Sequence, residues 1–443
     1  MADRYWVGGA ATWDGTALLK WALTSGGVGG QAVPTAADDV YFDAASGAVT
    51  ITLSGARTCL SFNSTGFTGT LAGTGTLAVS GNAIYGSGAT FTNTGTWTFN
   101  ATSGTQQITT NAKTLDFSIT QNGVGGTVQL QDNLTTGSTR TFTLTNGTLN
   151  LNSKTLSAGL FSSSGSGIRT LTAGASGQIN LTGNAATVIN IGTTTNLTVT
   201  NTPTTVNLTY AGSTGTRTLV NGGINSLGFF DVKINAGSDI ITNTGNMRFY
   251  NLDFTGFSGT WTLAGVGATL VNNLTISSGM IVSSSSSILS FNGTSGTGTI
   301  TTNNKTLDLP ITFDGVGGTW AFADALTQGS TRAFTITNGT VKLKSGVTST
   351  VGSFVANSSS VKSLQSTTPG SQATISQASG TITVADLTIQ DSNAIGGASW
   401  TAYADYENVD AGNNDGWNFS LSPPYASYEP PIIIRSFTQP RRF

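Results

Sequence analysis

The sequence predicts an all-β fold, a β-solenoid of the parallel β-helix type, and three observations lead to it. A block of 40 residues, Thr110–Leu149, recurs 192 positions later as Thr302–Val341, and 26 of the 40 aligned residues are identical. The likeness extends over roughly Gly55–Gly159 and Asn251–Gly352, which are called the first and second copies. Short runs such as VTITL, TFTLT and AFTIT alternate apolar and polar residues, as half-buried strands do. No stretch of eleven residues shows the 3.6-residue period of a helix. Duplicated blocks of short strands are typical of an array that stacks on itself.

Composition supports an ordered and repetitive structure. The chain has 443 residues and 58 glycines, only 9% of its residues are charged, and 37% are hydrophobic. This apolar fraction is enough to build a core, so disorder is excluded for the body of the chain. We expect a right-handed solenoid with rungs of about 20 residues, Leu, Val, Ile and Phe inside, and Thr, Ser and Asn outside. A string of β-sandwiches is the alternative, ranked second because no linker separates the two copies.

Four segments follow along the chain. Residues 1–50 contain three tryptophans and predict a small aromatic cap, because the open end of a stacked array must be covered. Residues 51–245 and 246–400 carry the first and second repeat blocks of the solenoid. Residues 401–443 hold an aromatic closure followed by an extended, proline-rich tail.

Several classes of function are excluded by the residues that the chain lacks. There is no histidine, so neither a Ser-His-Asp triad nor an imidazole metal ligand can form. The net charge of −2 gives no field that would attract nucleic acid. No apolar run reaches the roughly 18 residues of a membrane-spanning helix, and no secretory leader is recognisable at the N-terminus. The single cysteine, Cys59, is expected to be a small buried side chain.

Candidate catalytic and metal-binding groups are few. Asp314 and Asp324 are the best available carboxylate pair for glycan cleavage, but Asp324 repeats Asp132 of the first copy and is expected to cap a turn. The segment Asp410–Asp415 groups oxygen ligands beside a glycine without the spacing of a calcium-binding EF-hand loop, so an Asx-rich turn is favoured. We therefore expect no catalytic residue, no metal and no cofactor.

Basic and aromatic side chains offer two further hypotheses. A basic residue follows a turn of small residues at several strand starts and is expected to pack its stem over the neighbouring rung, whereas a ladder that grips an anionic glycan is the alternative. These residues are Arg57, Arg140, Arg169, Arg217 and Arg332, with Lys362 as a weaker example. Trp97, Trp261 and Trp320 could stack on sugars, but each lies in an alternating strand, so burial in the core is favoured.

The C-terminal tail is the predicted docking segment. Its proline pairs forbid a helix, and its aliphatic triplet with a basic end is typical of a segment that becomes ordered against a partner. A frayed terminus is the alternative. The predicted docking residues are Pro430, Pro431, Ile432, Ile433, Ile434, Arg435 and Phe437.

Three stretches carry a resemblance to known proteins. The opening YWVGGAATWDG, the repeated GSTRTFTLTNGTL and the closing DAGNNDGWNF resemble repetitive β-solenoid proteins of phage virions, of the fibre or decoration type, and of bacterial surface adhesins. The resemblance covers nearly the whole chain except the proline-rich tail. It implies a non-enzymatic structural component of a phage particle that serves attachment to surface glycans. A bacterial surface adhesin or matrix protein is the first alternative, and a tailspike-like glycan hydrolase is the second.

Partners and location follow from the same resemblance. The expected partners are other virion structural proteins and a cell-surface glycan, with no nucleic acid and no membrane. A homo-oligomer is expected, and a trimer is common for fibres of this kind. The chain is expected to be made in the host cytoplasm and to end in the virion, which reaches the extracellular space after lysis.

Overall fold

The chain forms a parallel β-solenoid of about 16 turns. The computed structural model describes residues 2–16, 19–200, 203–212, 215–221, 230–244, 247–265 and 267–422. These residues form 53 short strands and two 3-10 helices, Ala44–Ser46 and Ala404–Tyr406. In this part of the chain no helix is long and apolar enough to cross a bilayer. The predicted fold class is confirmed. The predicted tail, residues 423–443, lies outside the described residues.

The strands before residue 222 are two to six residues long. They are β1 (Asp3–Trp6), β2 (Thr12–Trp13), β3 (Trp21–Ala22), β4 (Asp39–Tyr41), β5 (Thr50–Leu53), β6 (Ala56–Cys59), β7 (Phe62–Asn63), β8 (Thr70–Gly73), β9 (Thr76–Val79), β10 (Ala83–Ile84), β11 (Thr90–Phe91), β12 (Trp97–Phe99), β13 (Thr105–Thr109), β14 (Thr114–Leu115), β15 (Ile119–Gln121), β16 (Thr127–Leu130), β17 (Leu134–Thr136), β18 (Thr141–Leu144), β19 (Gly147–Asn150), β20 (Thr155–Ala158), β21 (Leu160–Ser162), β22 (Arg169–Thr172), β23 (Gln178–Leu181), β24 (Thr187–Ile191), β25 (Leu197–Thr200), β26 (Thr204–Leu208) and β27 (Thr216–Asn221).

The strands after residue 229 have similar lengths. They are β28 (Phe230–Ile234), β29 (Ile240–Thr244), β30 (Met247–Phe249), β31 (Asn251–Asp253), β32 (Thr260–Thr262), β33 (Ala268–Leu270), β34 (Leu274–Thr275), β35 (Ile281–Val282), β36 (Leu289–Phe291), β37 (Thr297–Thr301), β38 (Thr306–Leu307), β39 (Ile311–Phe313), β40 (Thr319–Phe322), β41 (Thr327–Gln328), β42 (Ala333–Ile336), β43 (Gly339–Leu343), β44 (Thr348–Thr350), β45 (Ser353–Val355), β46 (Lys362–Ser366), β47 (Ala373–Gln377), β48 (Thr381–Thr383), β49 (Leu387–Gln390), β50 (Ser392–Gly396), β51 (Ser399–Thr401), β52 (Val409–Asp410) and β53 (Trp417–Asn418).

The strands follow one another in a repeating order of three, which gives the solenoid three faces. Face one contains the sheet that runs from β3 and β1 through every third strand to β25, followed by β30 to β45 and by β48, β51 and β53. Face two contains β2, β5, β8 and β11, and then the 14-stranded sheet that begins at β14 and ends at β52. Face three contains the 11-stranded sheet that begins at β6 and ends at β35, and then the five-stranded sheet of β38, β41, β44, β47 and β50.

Neighbouring rungs pair in parallel, and their length varies. Ile51 lies opposite Leu71, 20 positions later, whereas Leu171 lies opposite Val199, 28 positions later. Longer corner loops account for the difference from the predicted 20-residue rung. Among the described strands, only β1 and β3 pair antiparallel. Parallel pairing throughout the body excludes the string of β-sandwiches.

One continuous core fills the solenoid. Alternate residues of each strand point inward, as in β18, where Phe142 and Leu144 are buried and the two threonines are half-exposed. The buried side chains form a single cluster from Trp6 to Trp417. Equivalent inward residues of successive rungs stack, for example Phe291 on Phe313 with ring centroids 5.1 Å apart. The predicted inside-outside pattern is therefore confirmed.

The N-terminal aromatic residues cover the first rung. Trp6, Trp13 and Trp21 are fully buried and pack edge to face, with centroids 5.1 to 5.2 Å apart. All three rings contact Phe42, which begins the core beneath them. The antiparallel strand β3 pairs with β1 at the end of the first sheet. The first sheet therefore ends in a strand of only two residues, which leaves little backbone for pairing with another chain.

The two copies of the duplicated block lie on different faces. Strands β13, β16 and β19 of the first copy belong to face one, whereas their counterparts β37, β40 and β43 belong to face two. Each counterpart begins 192 positions after the original, as Thr105 and Thr297 show. The spacing of 192 residues is therefore not a whole number of turns, and the second copy is set one face further around the axis.

Candidate functional site

Most of the candidate catalytic, metal-binding and sugar-binding residues that the sequence suggests hold turns or fill the core. The predicted docking residues Pro430, Pro431, Ile432, Ile433, Ile434, Arg435 and Phe437 lie outside the described residues. The aromatic closure before them is described. Trp400 and Trp417 pack edge to face with centroids 5.0 Å apart, and Trp417 Nε1 donates to Ser392 Oγ at 3.1 Å.

The segment Asp410–Asp415 is a turn held by its own side chains. Asp410 Oδ1 accepts from the backbone nitrogen of Gly412 at 3.0 Å and from Asn414 Nδ2 at 2.6 Å. Asp415 Oδ2 accepts from Gln372 Nε2 at 2.8 Å. The described residues contain no group of three Asp, Glu, Cys or His side chains that could hold a metal ion. These contacts fit the Asx-rich turn.

The two candidate catalytic carboxylates have separate structural partners. Asp324 Oδ1 accepts from the backbone nitrogen of Thr302 at 2.9 Å and from its hydroxyl at 3.0 Å, which caps a turn of two left-handed asparagines. Asp132 caps the corresponding turn at Thr110 in the first copy. Asp314 Oδ1 accepts from Asn338 Nδ2 at 2.7 Å. The turn-capping interpretation of Asp324 is confirmed.

The tryptophans proposed as sugar platforms are core residues. Trp97, Trp261 and Trp320 are 0%, 2% and 1% exposed. Each packs against phenylalanine rings, as Trp97 does on Phe117 with centroids 4.5 Å apart. The interpretation of core burial is therefore confirmed, and none of the three can stack on an external sugar.

Two of the six basic residues that follow turns are buried at corners of the solenoid. Arg169 is fully buried, and its guanidinium donates to the backbone oxygens of Ser163, Gly167, Thr193 and Thr195. Lys362 is 1% exposed, and its Nζ donates to the backbone oxygens of Ser358, Ser360 and Ala385. Burial lowers the pKa of both groups. Both charged groups thus hold corner loops together by binding their backbone oxygens. The sequence pattern of turns and strands does not predict this role.

Three other arginines of the pattern pair with aspartates. Arg217 Nε lies 2.7 Å from Asp239 Oδ2, and both side chains are almost fully buried. Arg140 pairs with Asp116 at 2.8 Å in the first copy. Arg332 and Asp308 repeat that pair in the second copy at 2.7 Å. Among the described residues, Arg57 is the remaining member of the pattern, and its Nε donates to the backbone oxygen of Ser54 at 3.0 Å. Because the other five basic side chains are paired with aspartates or buried, the set does not form an exposed ladder for an anionic glycan.

A surface groove that sequence reasoning missed lies at the start of the second copy. Its first part is on face two, where outward residues of β28, β31, β34 and β37 line a cavity of about 310 Å³. Hydrogen bonds link these rungs: Asn251 Nδ2 donates to Asp231 Oδ1 at 2.6 Å, and Asn251 Oδ1 accepts from the backbone nitrogen of Asn273 at 2.9 Å. Burial raises the pKa of Asp231. Lys233, Asp253 and Thr275 also line this part.

The second part of the groove lies at the adjoining corner between faces one and two. It is a cavity of about 470 Å³. Arg248 Nη2 donates to Asn292 Oδ1 at 3.2 Å, while Arg248 Nε is buried without a hydrogen-bond partner. Burial lowers the pKa of Arg248. Tyr250, Asn272, Ser295 and Thr297 line the same cavity. The two cavities lie side by side: Tyr250 and Asn272 line this one, and the residues that follow them in the chain, Asn251 and Asn273, line the other. We call the whole the Arg248 groove.

One signal in the sequence could have indicated this groove. The segment NMRFYNLDF, residues 246–254, brings together an arginine, a tyrosine, two asparagines and an aspartate in a chain that is otherwise poor in charged and aromatic residues. The segment has no close textual match in the first copy, so a search restricted to repeats passes over it. Its partners Asn272 and Asn292 are 20 or more positions away, and only the stacking of rungs brings them together.

Comparisons with known proteins give no match, whether the chain is compared with protein-family models, with curated proteins or with solved structures. The likeness in sequence to repetitive solenoid proteins is therefore a resemblance of motifs. Function has to be argued from the geometry of this chain.

Proposed function

We propose that this protein is a non-enzymatic structural component of a phage particle, a fibre, appendage or decoration protein that serves attachment to surface glycans. The observation that carries the proposal is the solenoid of about 16 turns, whose described residues share one continuous core. Strands in neighbouring rungs are spaced by roughly 4.8 Å, so the turns give a rod of roughly 75 Å. A rod of this length holds a binding surface away from an anchoring point.

The fate of the charged side chains supports a passive role. The carboxylates that a tailspike-like hydrolase would use, Asp314 and Asp324, are engaged with Asn338 and with the turn at Thr302. The basic residues Arg169, Arg217 and Lys362 stabilise corners from within. The outward residues of the strands are mainly threonine, serine and asparagine, which suit contacts with sugar hydroxyl groups.

The resemblance covers solenoid proteins of phage virions and of bacterial surface adhesins, and we propose the virion as the first location to test. In this proposal the partners are other virion proteins at one end and a surface glycan along the rod, and the chain assembles as a homo-oligomer, with a trimer as the first arrangement to test. A bacterial adhesin would use the same rod and the same glycan contacts with a different anchor.

The deciding experiment locates the chain in its native setting. Cryo-electron microscopy of phage particles from lysates of the source organism, with mass spectrometry to identify the chain, should show a β-solenoid rod attached to the capsid or tail. Recovery of the chain from cell surfaces or matrix, with none on particles, contradicts the virion proposal and supports the adhesin. Release of reducing sugars from surface polysaccharide by the purified protein contradicts the non-enzymatic role.

Deletion of residues 421–443 tests the predicted docking segment. The truncated protein should retain the circular dichroism and melting temperature of the full chain, because the core ends at Trp417. It should fail to attach to particles that lack the protein, while the full chain attaches. Attachment by the truncated protein, or its unfolding, contradicts the docking role of Pro430–Phe437.

A further inference from the structure

We propose that the Arg248 groove binds an acidic oligosaccharide, such as a chain of uronic acids. This inference rests on the attachment function proposed above and gives it a site and a ligand class. The groove spans the corner cavity at Arg248 and the adjoining cavity on face two, with volumes of about 470 and 310 Å³. Together they offer room for a few sugar rings laid across consecutive rungs.

The charge of Arg248 indicates an acidic ligand. Among the described residues, no carboxylate lies within ion-pair distance of this guanidinium, whereas Arg140, Arg217 and Arg332 each have an aspartate. Its contact in the cavity is the neutral Asn292, and its Nε is buried without a partner. A partly buried cation of this kind is stabilised by a carboxylate, which a guanidinium binds through two parallel hydrogen bonds.

The other side chains of the groove suit sugar hydroxyl groups. Asn272 and Ser295 provide amide and hydroxyl groups beside Arg248, and Tyr250 adds an aromatic ring with a polar tip. On face two, Asp231, Asp253 and Lys233 continue the polar lining. Because two of these three side chains are carboxylates, we expect the carboxylate of the ligand at Arg248 and sugar hydroxyl groups on face two. Side chains that combine hydrogen-bond donors and acceptors with one aromatic ring are the set that a polar, ring-shaped ligand requires.

The first copy provides an internal control for this site. The inward ladder Val232–Leu252–Leu274–Ile300 corresponds rung by rung to the ladder Val40–Phe62–Ala83–Ile108. The correspondence places Thr58 at the position of Arg248 and Leu60 at the position of Tyr250. Asp39 accepts from Ser61 just as Asp231 accepts from Asn251. The supporting hydrogen bond is thus shared, while the cation and the ring belong to the second copy alone.

The test uses the full chain and a variant built from this correspondence. Arg248→Thr/Tyr250→Leu places at both positions the residues that the first copy already accommodates, so the variant is expected to fold. Arg140→Gln is the matched control, because it removes one positive charge far from the groove. Isothermal titration would measure binding of tetramers of galacturonate, mannuronate and guluronate, each beside its methyl ester, which keeps the sugar and removes the charge.

We expect at least one uronate tetramer to bind the wild-type chain about tenfold or more tightly than its ester, since the ester loses the charge-assisted hydrogen bonds. The double variant should lose about tenfold in affinity for the acid form, and Arg140→Gln should bind as the wild type does. Added salt should weaken binding of the acid alone. No preference for the acid over the ester, or equal binding by the double variant, overturns the proposal.

A second readout separates this proposal from the proposed function. Adhesion of the wild-type chain and of the double variant to purified surface polysaccharide of the host would be measured in parallel. Equal adhesion by both proteins contradicts the groove and leaves the attachment function standing. Absence of adhesion by the wild-type chain contradicts the attachment function itself, whatever the titrations with small uronates show.

Discussion

The two copies of the duplicated block share their turns and differ in their setting. In both copies an aspartate caps a two-residue left-handed turn, Asp132 in the first and Asp324 in the second. In both copies an arginine pairs with an aspartate from the rung before it. Yet strands β13, β16 and β19 of the first copy lie on face one, whereas their counterparts β37, β40 and β43 of the second copy lie on face two. Local hydrogen bonds are therefore conserved with the sequence, whereas the number of residues between the copies sets the face.

The two copies fill one position of the core with different pairs of side chains. In the first copy, Gln106 lies opposite Val128, and its Nε2 donates to the backbone oxygens of Val79 and Gly81. In the second copy, the corresponding pair is Gly298 and Trp320. A Cβ atom added at Gly298 would lie 2.9 Å from the Trp320 ring, so the indole fills the space that a side chain at position 298 would need.

The largest expected loss of stability comes from replacing Trp320 of the second copy by valine, the residue at the corresponding position of the first copy. Trp320→Val places in the second copy the residue that the first copy has at Val128, but opposite a glycine in place of Gln106. Because Gly298 has no side chain to fill the space, we expect a loss of about 3 kcal/mol in the free energy of unfolding, as for other buried aromatic truncations. Chemical denaturation followed by tryptophan fluorescence and circular dichroism measures it.

A double variant sharpens this comparison. Adding Gly298→Gln to Trp320→Val restores the pair of the first copy, but the new Cβ would lie 2.4 Å from the backbone oxygen of Asn272. We therefore expect no recovery of stability. Full recovery would show that the backbone of the second copy adjusts and that the two interiors are interchangeable. A loss below about 1 kcal/mol for Trp320→Val alone would contradict the packing account.

The shared turns predict a smaller and symmetric effect. Asp324→Ala removes the acceptor of the backbone nitrogen and hydroxyl of the buried Thr302, and Asp132→Ala does the same at Thr110. Each loss leaves the backbone nitrogen of the buried threonine unsatisfied, while its hydroxyl keeps a hydrogen bond to the backbone oxygen of Ala325 or Asn133. We therefore expect about 2 kcal/mol in each case. The two values should agree, because the contacts are the same. Values that differ by more than about 1 kcal/mol would show that the face, and not the turn, decides the stability.

The exposed ion pair of the second copy predicts the smallest effect. A hydrogen bond from Arg332 holds the pKa of Asp308 below its ordinary value, and a hydrogen bond from Ser284 adds to this effect. A carboxyl whose pKa is lowered on folding stabilises the protein above its unfolded pKa, and this contribution is lost as the pH falls through the folded pKa. We expect Asp308→Asn to reduce the fall in melting temperature between pH 5 and pH 3 by about 1 °C or less, because exposed pairs are weak. A larger fall in the variant than in the wild type would contradict this sign.

Much of the fold could be predicted from alternation and repetition. The runs around Phe142 and Phe334 alternate every second residue, and a repeat without linkers favours stacking rungs. The capping role of Asp324 could be predicted too, because it recurs beside a conserved turn motif in both copies. The buried heads of Arg169 and Lys362 could not, since part of the carbonyl groups that they bind, those of Thr193, Thr195 and Ala385, come from a neighbouring rung.

By itself, the sequence determined the all-β class, the parallel array, the inward and outward residues and the turns, because each depends on residues within one rung or on a repeat that is visible in the text. Only the tertiary structure decided which face each copy occupies, where the basic side chains end, and that Arg248, Asn272 and Asn292 line one groove. The physical reason is the length of the rungs. Because the corner loops differ in length, the differences in rung length add up along the axis. The residues that lie opposite each other in neighbouring rungs therefore depend on the lengths of all the loops between them, which no local pattern contains.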